Sequence, residues 1–312
     1  MAFPYVLAFD LGGAKIGAAV FDLEHRRVGD VHLIPTMAKQ RMVITMMNLK
    51  RVGEEARRKA GCEGPPVAVG MGSTGGVDAR GGFLHGRDPL TSLQGFAIGR
   101  FVEQEFGAPL YLENDANCFT LGEALAGAGR GHVVVLGLTL GASFGCGITR
   151  NGRVHGGDSD GASGNVGELA YGSLGGGPAG PLLSPARIET CYTRTSEEAS
   201  ITVKKLGELA GEGDPEALQA WEEYGKALGD LLGVIAAKVD PSVCVIGGAV
   251  GRRLEWFRAP LEQRLRAHLS PVAAERIKVA ASELDVAAGV TGAAKLAFQH
   301  LEDAKTRKEQ TA

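Results

Sequence analysis

Residues 5–21 read Tyr5-Val6-Leu7-Ala8-Phe9-Asp10-Leu11-Gly12-Gly13-Ala14-Lys15-Ile16-Gly17-Ala18-Ala19-Val20-Phe21. An apolar run ends in a carboxylate, crosses two glycines and resumes as a second β-like run. Strand, tight turn and strand predict a hairpin, which a third strand around Val28–Ile34 would extend antiparallel. Asp10 at a strand end, followed by bare backbone through Gly12, Gly13, Ala14 and Lys15, suits a metal-bound polyphosphate. A plain glycine hairpin with an exposed lysine would carry the same residues.

The pattern recurs further along. Val133–Leu140 reads as a buried strand, Gly141-Ala142-Ser143 as a turn and Phe144–Thr149 as a returning strand. Asn151-Gly152 then signals a hairpin. Between the two occurrences lie a helix over residues 39–59, a strand over Pro66–Met71 and a glycine cluster at 70–76. A helix over Phe96–Phe106 and a strand over Pro109–Leu112 follow, delivering Glu113-Asn114-Asp115 to a helix over 116–126. Later, Asp214 can cap a helix that begins at Pro215. Leu218, Trp221, Tyr224, Leu228, Leu231, Leu232 and Ile235 share its apolar face. Val243–Ile246 reads as a strand running into Gly247-Gly248-Ala249. A helix with Leu254, Phe257, Leu261 and Leu265, a strand over Ile277–Ala281 and a helix over Ala287–Leu301 complete the chain. Two halves of like construction predict a duplicated α/β protein with a cleft between them. Residues 1–114 would form a smaller domain and 115–287 a larger one, with a terminal helix, 288–312, packing back on the first.

Composition agrees with a folded chain. Glycine contributes 47 of 312 residues, about twice the usual ~7%. With 13 prolines, 44% hydrophobic and 22% charged residues, the excess calls for backbone geometry rather than disorder. The net charge is −3 and no basic block is present, which gives nucleic-acid binding no electrostatic support. Five scattered cysteines without a C-x-x-C pair argue against a disulfide framework and a cysteine zinc site. Neither a signal peptide nor an apolar run of ~18 residues is read, so a cytoplasmic protein without a membrane partner is expected. The charge-dense stretch Glu302–Gln310 reads as a frayed helix end.

Glu113-Asn114-Asp115 has two compatible readings. Asn and Asp are preferred helix caps. Equally, Asp115 could take a proton from a hydroxyl while Asn114 fixes a neighbouring one. A carboxylate at a helix N-terminus is expected to keep a low pKa, and it can still serve as base in phosphoryl transfer. The turns Gly141-Ala142-Ser143 and Gly247-Gly248-Ala249 let backbone approach phosphate or adenosine. Taken singly, each is also an ordinary strand-end turn, and a lone Glu168 after a glycine-rich stretch would be surface. Their order and spacing, with the Asn-Asp pair midway, fit a kinase that clamps ATP between two related domains.

Across nearly the whole chain, from Asp10 to about Leu296, the sequence resembles the ROK sugar kinases of the actin–hexokinase–Hsp70 ATPase superfamily. Asp10 through Ile16 resembles the family's D-x-G-G-T-K phosphate motif, and Gly70 through Asp78 its G-x-G-x-P-G-x-V-D segment. Glu113-Asn114-Asp115-Ala116-Asn117 is identical to E-N-D-A-N, the most specific match. Leu138 through Ser143 resembles L-x-x-G-T-G. Asn151 through Gly157, Gly164 through Leu169, Val245 through Val250 and Gly292-Ala293-Ala294 continue the likeness. The resemblance implies two ribonuclease H-like domains flanking an active-site cleft. It implies Asp115 as general base, with Asn114 and Glu168 binding sugar hydroxyls and Gly75 and Gly76 lining the sugar site. The turns at 12–15, 141–143 and 247–249 would hold Mg-ATP, with Asp10 near the magnesium. A homodimer is also implied.

The departures bear on function. Ala14 and Ala142 replace the family's threonines, Ser143 could restore one hydroxyl, and Thr74 replaces the proline of P-G. The family's E-x-G-H reads Glu168-Leu169-Ala170-Tyr171 here, and no cysteine lies between Cys146 and Cys191 where the zinc motif belongs. No structural zinc is therefore expected. Tyr171 would offer a phenol to a sugar hydroxyl or act only as a packed aromatic, and Glu189 falls near the motif's sugar-binding glutamate. The leading expectation is an ATP-dependent kinase acting on a hexose or N-acetylhexosamine, at its 6-hydroxyl. The altered residues motivate a second reading, a non-catalytic sugar or nucleotide sensor. A third keeps the kinase and changes the donor to polyphosphate. A DNA-binding repressor is disfavoured, because strand residues begin at Tyr5.

Overall fold

The computed structural model describes residues 3–85, 90–141, 144–155, 184–194 and 200–311. The chain opens with β1 (Tyr5–Leu11), β2 (Lys15–Asp22) and β3 (Arg27–Pro35), then α1 (Met42–Lys59) and β4 (Ala68–Ser73). A small hairpin of β5 (Gly76–Asp78) and β6 (Phe83–His85) precedes α2 (Ile98–Phe106) and β7 (Leu110–Asn114). The first sheet has the order β3-β2-β1-β4-β7. Its first three strands are antiparallel, and β1, β4 and β7 run parallel.

After α3 (Asp115–Ala126) come β8 (Val134–Leu140), β9 (Phe144–Arg150) and β10 (Arg153–Val154). Helices α4 (Pro185–Thr193), α5 (Val203–Gly211) and α6 (Pro215–Val239) lead to β11 (Val243–Gly247). The short α7 (Gly248–Gly251), α8 (Leu254–Ala267), α9 (Pro271–Arg276), β12 (Lys278–Ala281) and α10 (Ala288–Thr311) close the chain. The second sheet, β10-β9-β8-β11-β12, repeats the order and the strand directions of the first. This is the duplicated α/β architecture read from the two strand–turn–strand units. Among the described residues no helix is long and apolar enough to cross a membrane, and all five cysteines are free.

Strand β1 is buried on both faces, as a parallel-sheet strand must be. Tyr5, Leu7, Phe9 and Leu11 point to one side, where Met46, Leu49 and Val52 of α1 pack. Val6 and Ala8 point to the other, against Val290, Ala293, Ala294 and Ala297 of α10. The second core centres on α6. There Trp221 stacks on Phe257 of α8 at 5.6 Å and Tyr224 meets the same ring edge-on at 5.4 Å. Asp214 caps α6 through a 2.8 Å bond from Ala217 N. Leu218 does not belong to the α6 stripe; it is 40% exposed. At ~100° per residue, the buried face at that level is filled by Ala217 and Ala220, and Leu218 falls outside it. The charged stretch after Leu301 is not frayed but helical to Thr311. Asp303 on it accepts both Arg153 guanidinium nitrogens at 2.8 and 2.9 Å.

Helices α3 and α10 cross in backbone contact. A Cβ on Gly122 would fall on the Ala288 carbonyl, and one on Gly292 would fall on the Cys118 carbonyl. Below the crossing, the fully buried Glu123 of α3 accepts Ser282 Oγ at 2.5 Å, Ala128 N at 2.9 Å and Leu284 N at 3.0 Å. This carboxylate ties α3 to the segment that leads into α10. Helix propensity alone would make Gly292→Ala stabilising by about 1 kcal/mol. Separating two packed backbones costs more, so the substitution is expected to destabilise by about 1–3 kcal/mol. A lowered urea midpoint is the readout, and a raised midpoint would contradict the close crossing.

Candidate active site

The parallel strands of both sheets end on one cleft, the place where open α/β sheets bind ligands. Alternation along β1 sets the first functional group. Asp10 follows Val6 and Ala8 on the α10 face, and at the strand's end its carboxylate meets the start of α10. A Cβ on Gly289 would strike Asp10 Oδ2. The absence of a side chain there gives Asp10 its place.

The turn between β1 and β2 is braced from below. Gly12 N donates to Lys15 O at 3.0 Å. Thr36, fully buried just beyond β3, donates its hydroxyl to Gly12 O at 2.6 Å and its N–H to Ala14 O at 3.0 Å. The Gly12, Ala14 and Lys15 carbonyls are thereby occupied on the protein side. The N–H groups of Gly13 and Ala14 have no acceptor among the described residues.

Asn114 ends β7 and caps α3. Its Oδ1 accepts Ala116 N at 2.9 Å and Asn117 N at 3.3 Å, and its Nδ2 donates to Gly75 O at 3.0 Å. Gly75 holds a left-handed φ of 94°, which brings that carbonyl to Asn114. The Asn114 amide also hydrogen-bonds the neighbouring Asp115 carboxylate. Asp115, the first residue of α3, accepts Thr74 Oγ1 on Oδ2 at 2.5 Å and Ala116 N on Oδ1 at 2.9 Å. Burial nevertheless pushes its carboxyl above the ordinary carboxylate range, with these hydrogen bonds opposing the shift. The low pKa expected from the helix N-terminus is thus corrected: desolvation outweighs it.

A cleft of about 310 Å³ is lined by Asp10, Gly12, Gly13, Ala14, Lys15, Asp115, Gly141 and Gly248, all anticipated from the sequence. Thr74, Phe119, Thr139, Arg252, Asp285, Val286 and Gly289 join them, and none of these was singled out as a cleft residue. Arg252 pairs with Asp285 at 2.8–2.9 Å on the rim, which neutralises an acid beside the cleft. Gly75, Gly76, Asn114, Gly247 and Ala249 are not among the residues that line it. Glu189 lies on α4 and does not line the cleft. Glu168, Tyr171, Ala142, Ser143 and the segment where zinc ligands were sought fall outside the described residues.

Asp10 has no hydrogen-bond or ion-pair partner among the described residues. Burial, and secondarily the charge of Asp115, push its carboxyl up to about 7. With Arg252 paired to Asp285, Lys15 stands against the two carboxylates of Asp10 and Asp115, a balance that a divalent cation would shift toward positive. No group of three or more His, Cys, Asp or Glu able to hold a metal occurs among the described residues. The donor set therefore fits magnesium, which keeps water and phosphate oxygens and takes only one or two protein carboxylates.

The sequence matches the ROK family model over residues 6–300. An N-acetyl-D-glucosamine kinase of Photobacterium profundum is 31% identical, with 92% of this chain and 97% of that protein covered. The ROK hexokinase of Thermus thermophilus superposes with a TM-score of 0.80 at 30% identity, over 96% of this chain and 99% of that one. A ROK family glucokinase of Streptomyces griseus, solved with glucose and AMPPNP, superposes with a TM-score of 0.81 at 27% identity over 95% and 99%. Two like sheets facing one cleft, and likeness over almost the entire length of these proteins, lead to one conclusion: the chain belongs to the ROK family.

Proposed function

We propose that this protein is an ATP-dependent sugar kinase that phosphorylates the 6-hydroxyl of a hexose or N-acetylhexosamine, with Asp115 as general base. The observation that carries the reading is the convergence of Asp115, Asp10 and the glycine turns of both sheets on one cleft. The relatives' activities on glucose and N-acetyl-D-glucosamine support a phosphotransferase with an alcohol acceptor. In this reading the two lobes are residues 1–114, with the terminal helix from 288, and residues 115–287.

The chemistry follows from the placement. Gly13 and Ala14 line the cleft, and their N–H groups, without an acceptor among the described residues, would serve as donors to the outer phosphates, since oriented backbone amides favour anions. The turn at Gly248 supplies the opposite wall. Asp10 would hold magnesium, which offsets the phosphate charge when bound with the nucleotide. Asp115 orients the sugar hydroxyl. As that oxygen bonds to the γ-phosphorus, the bond from phosphorus to the departing ADP oxygen breaks and the proton passes to Asp115. Positioning and charge stabilisation provide most of the acceleration in such a transfer.

An ADP-release assay with Mg-ATP over glucose, fructose, N-acetylglucosamine and N-acetylmannosamine tests the reading. Turnover of one or more is expected. Silence across the panel with sugar binding by calorimetry would instead favour a sensor. Asp115→Asn is expected to lower kcat by about 10²–10⁴-fold while ATP binding is retained. A wild-type rate in that variant would refute the assigned base. Gly289→Ala should displace the Asp10 carboxylate. It is expected to raise the magnesium concentration for half-maximal rate by roughly 10–100-fold, with ADP release titrated against Mg²⁺ as the readout. An unchanged titration would mean that Asp10 does not serve the cation.

A further inference from the structure

Thr74 has two bonds that join the two sides of the cleft. Along β4, Val69 and Met71 face α1. Ala68, Gly70 and Gly72 face the other way. A Cβ on Gly70 would meet the Ala293 carbonyl of α10, and one on Gly72 would press on Cys118 and the Asp115 backbone. The bare face of the strand lets α10 and the first turn of α3 settle on the sheet. Thr74 is the next residue in that alternation, and its side chain arrives at Asp115. Its hydroxyl donates to Asp115 Oδ2 at 2.5 Å, and its N–H donates to Leu11 O at 3.0 Å, one residue before the Gly12–Lys15 turn.

We propose that Thr74 is a positioning residue for phosphoryl transfer, fixing the Asp115 carboxylate relative to the phosphate-side turn. The inference rests on Asp115 being the base. A carboxylate has about four lone-pair directions. Thr74 takes Oδ2 and Ala116 N takes Oδ1, with the Asp115 N–H and the Asn114 amide also bonding the group, and together these fix its plane. Without Thr74 the carboxylate would keep donors only from its own helix end, the Ala116 and Asp115 N–H groups and the Asn114 amide, and would lose its one hydroxyl tie to β4, leaving more freedom about its terminal torsion, a broad one. The proline that the family pattern places here has neither a hydroxyl nor an N–H. A proline at this position could not make either bond of Thr74.

The test uses the full-length protein with Mg-ATP and whichever sugar of the four-sugar panel is turned over fastest. Removing a hydrogen bond to a charged group predicts that Thr74→Val loses roughly tenfold or more in kcat. KM for sugar and for ATP should stay within about threefold, because binding is not what the hydroxyl serves. Thr74→Ser restores the hydroxyl and should keep kcat within about threefold of wild type. On an Asp115→Asn background, Thr74→Val should cost nothing further, since the residue acts through the carboxylate. If the valine variant does not fold in a thermal melt, Thr74→Ala takes its place against the same criteria.

A wild-type kcat in Thr74→Val overturns the proposal. So does a loss confined to the sugar KM, or a serine variant as slow as the valine one. If Asp115→Asn is inactive while Thr74→Val is fully active, only the role of Thr74 fails. If Asp115→Asn turns over at the wild-type rate, or if no sugar is turned over, the base assignment fails with it.

Discussion

The backbone crossing of α3 and α10 sets the geometry of the cleft. Each helix brings one acid to its place. The first residue of α3 is Asp115, and the first turn of α10 presents the bare Gly289 to Asp10. Gly122 and Gly292 let the two helices touch main chain to main chain, so neither axis can move without the other. Glu123, the residue after Gly122, extends the constraint by holding residues 282–284 that feed α10. The two carboxylates are 105 positions apart in sequence yet share one cleft, because the helices that place them are packed as one unit.

That arrangement gathers negative charge where water is scarce. Burial raises the pKa of both acids, and the charge of Asp115 raises that of Asp10 further. For Asp10 the outcome is a carboxyl pushed up to about 7 with no hydrogen bond to offset it. Asp115 is treated differently: Thr74 and Ala116 N stabilise its ionised form, though burial still prevails. The asymmetry matches two different tasks. An acid lacking protein partners is suited to a cation that arrives with the nucleotide. An acid held on both oxygens is suited to receive a proton at a defined position. The Arg252–Asp285 pair offsets a third acid that lines the cleft.

Much of this was legible in the sequence because it is local. The strand–turn–strand units, the Asp214 cap and the Asn114 cap each depend on a few consecutive residues, and each appears where it was read. The turns at 12–15, 141 and 248 were recognisable as small-residue strand ends, and they reach the cleft. What could not be read depends on partners far along the chain. Thr36 braces a turn 24 positions earlier, and Thr74 meets Asp115 at a separation of 41. Glu123 finds three of its four donors about 160 positions away. No periodicity carries such pairings. Leu218 failed for the opposite reason: a stripe read by spacing alone admits a residue at its margin, and only packing decides whether the margin is covered. The Asp115 pKa was misjudged because a helix N-terminus is visible in sequence, whereas the burial that outweighs it is not.

The brace by Thr36 also bears on the altered phosphate motif. Ala14 stands where the related pattern has threonine, so the turn lacks a side-chain hydroxyl. A backbone nest needs no side chain to bind anions; it needs N–H groups that point one way and carbonyls that point another. Thr36 enforces that division by taking Gly12 O with its hydroxyl and Ala14 O with its N–H. Because Thr36 is fully buried, water does not compete for these bonds, and the turn is held before any phosphate arrives. A site preorganised in this way loses one donor with the threonine and keeps its main-chain donors. The substitution at Ala14 is therefore compatible with phosphate binding, provided that the residue beneath the turn, rather than the one within it, carries the hydroxyl.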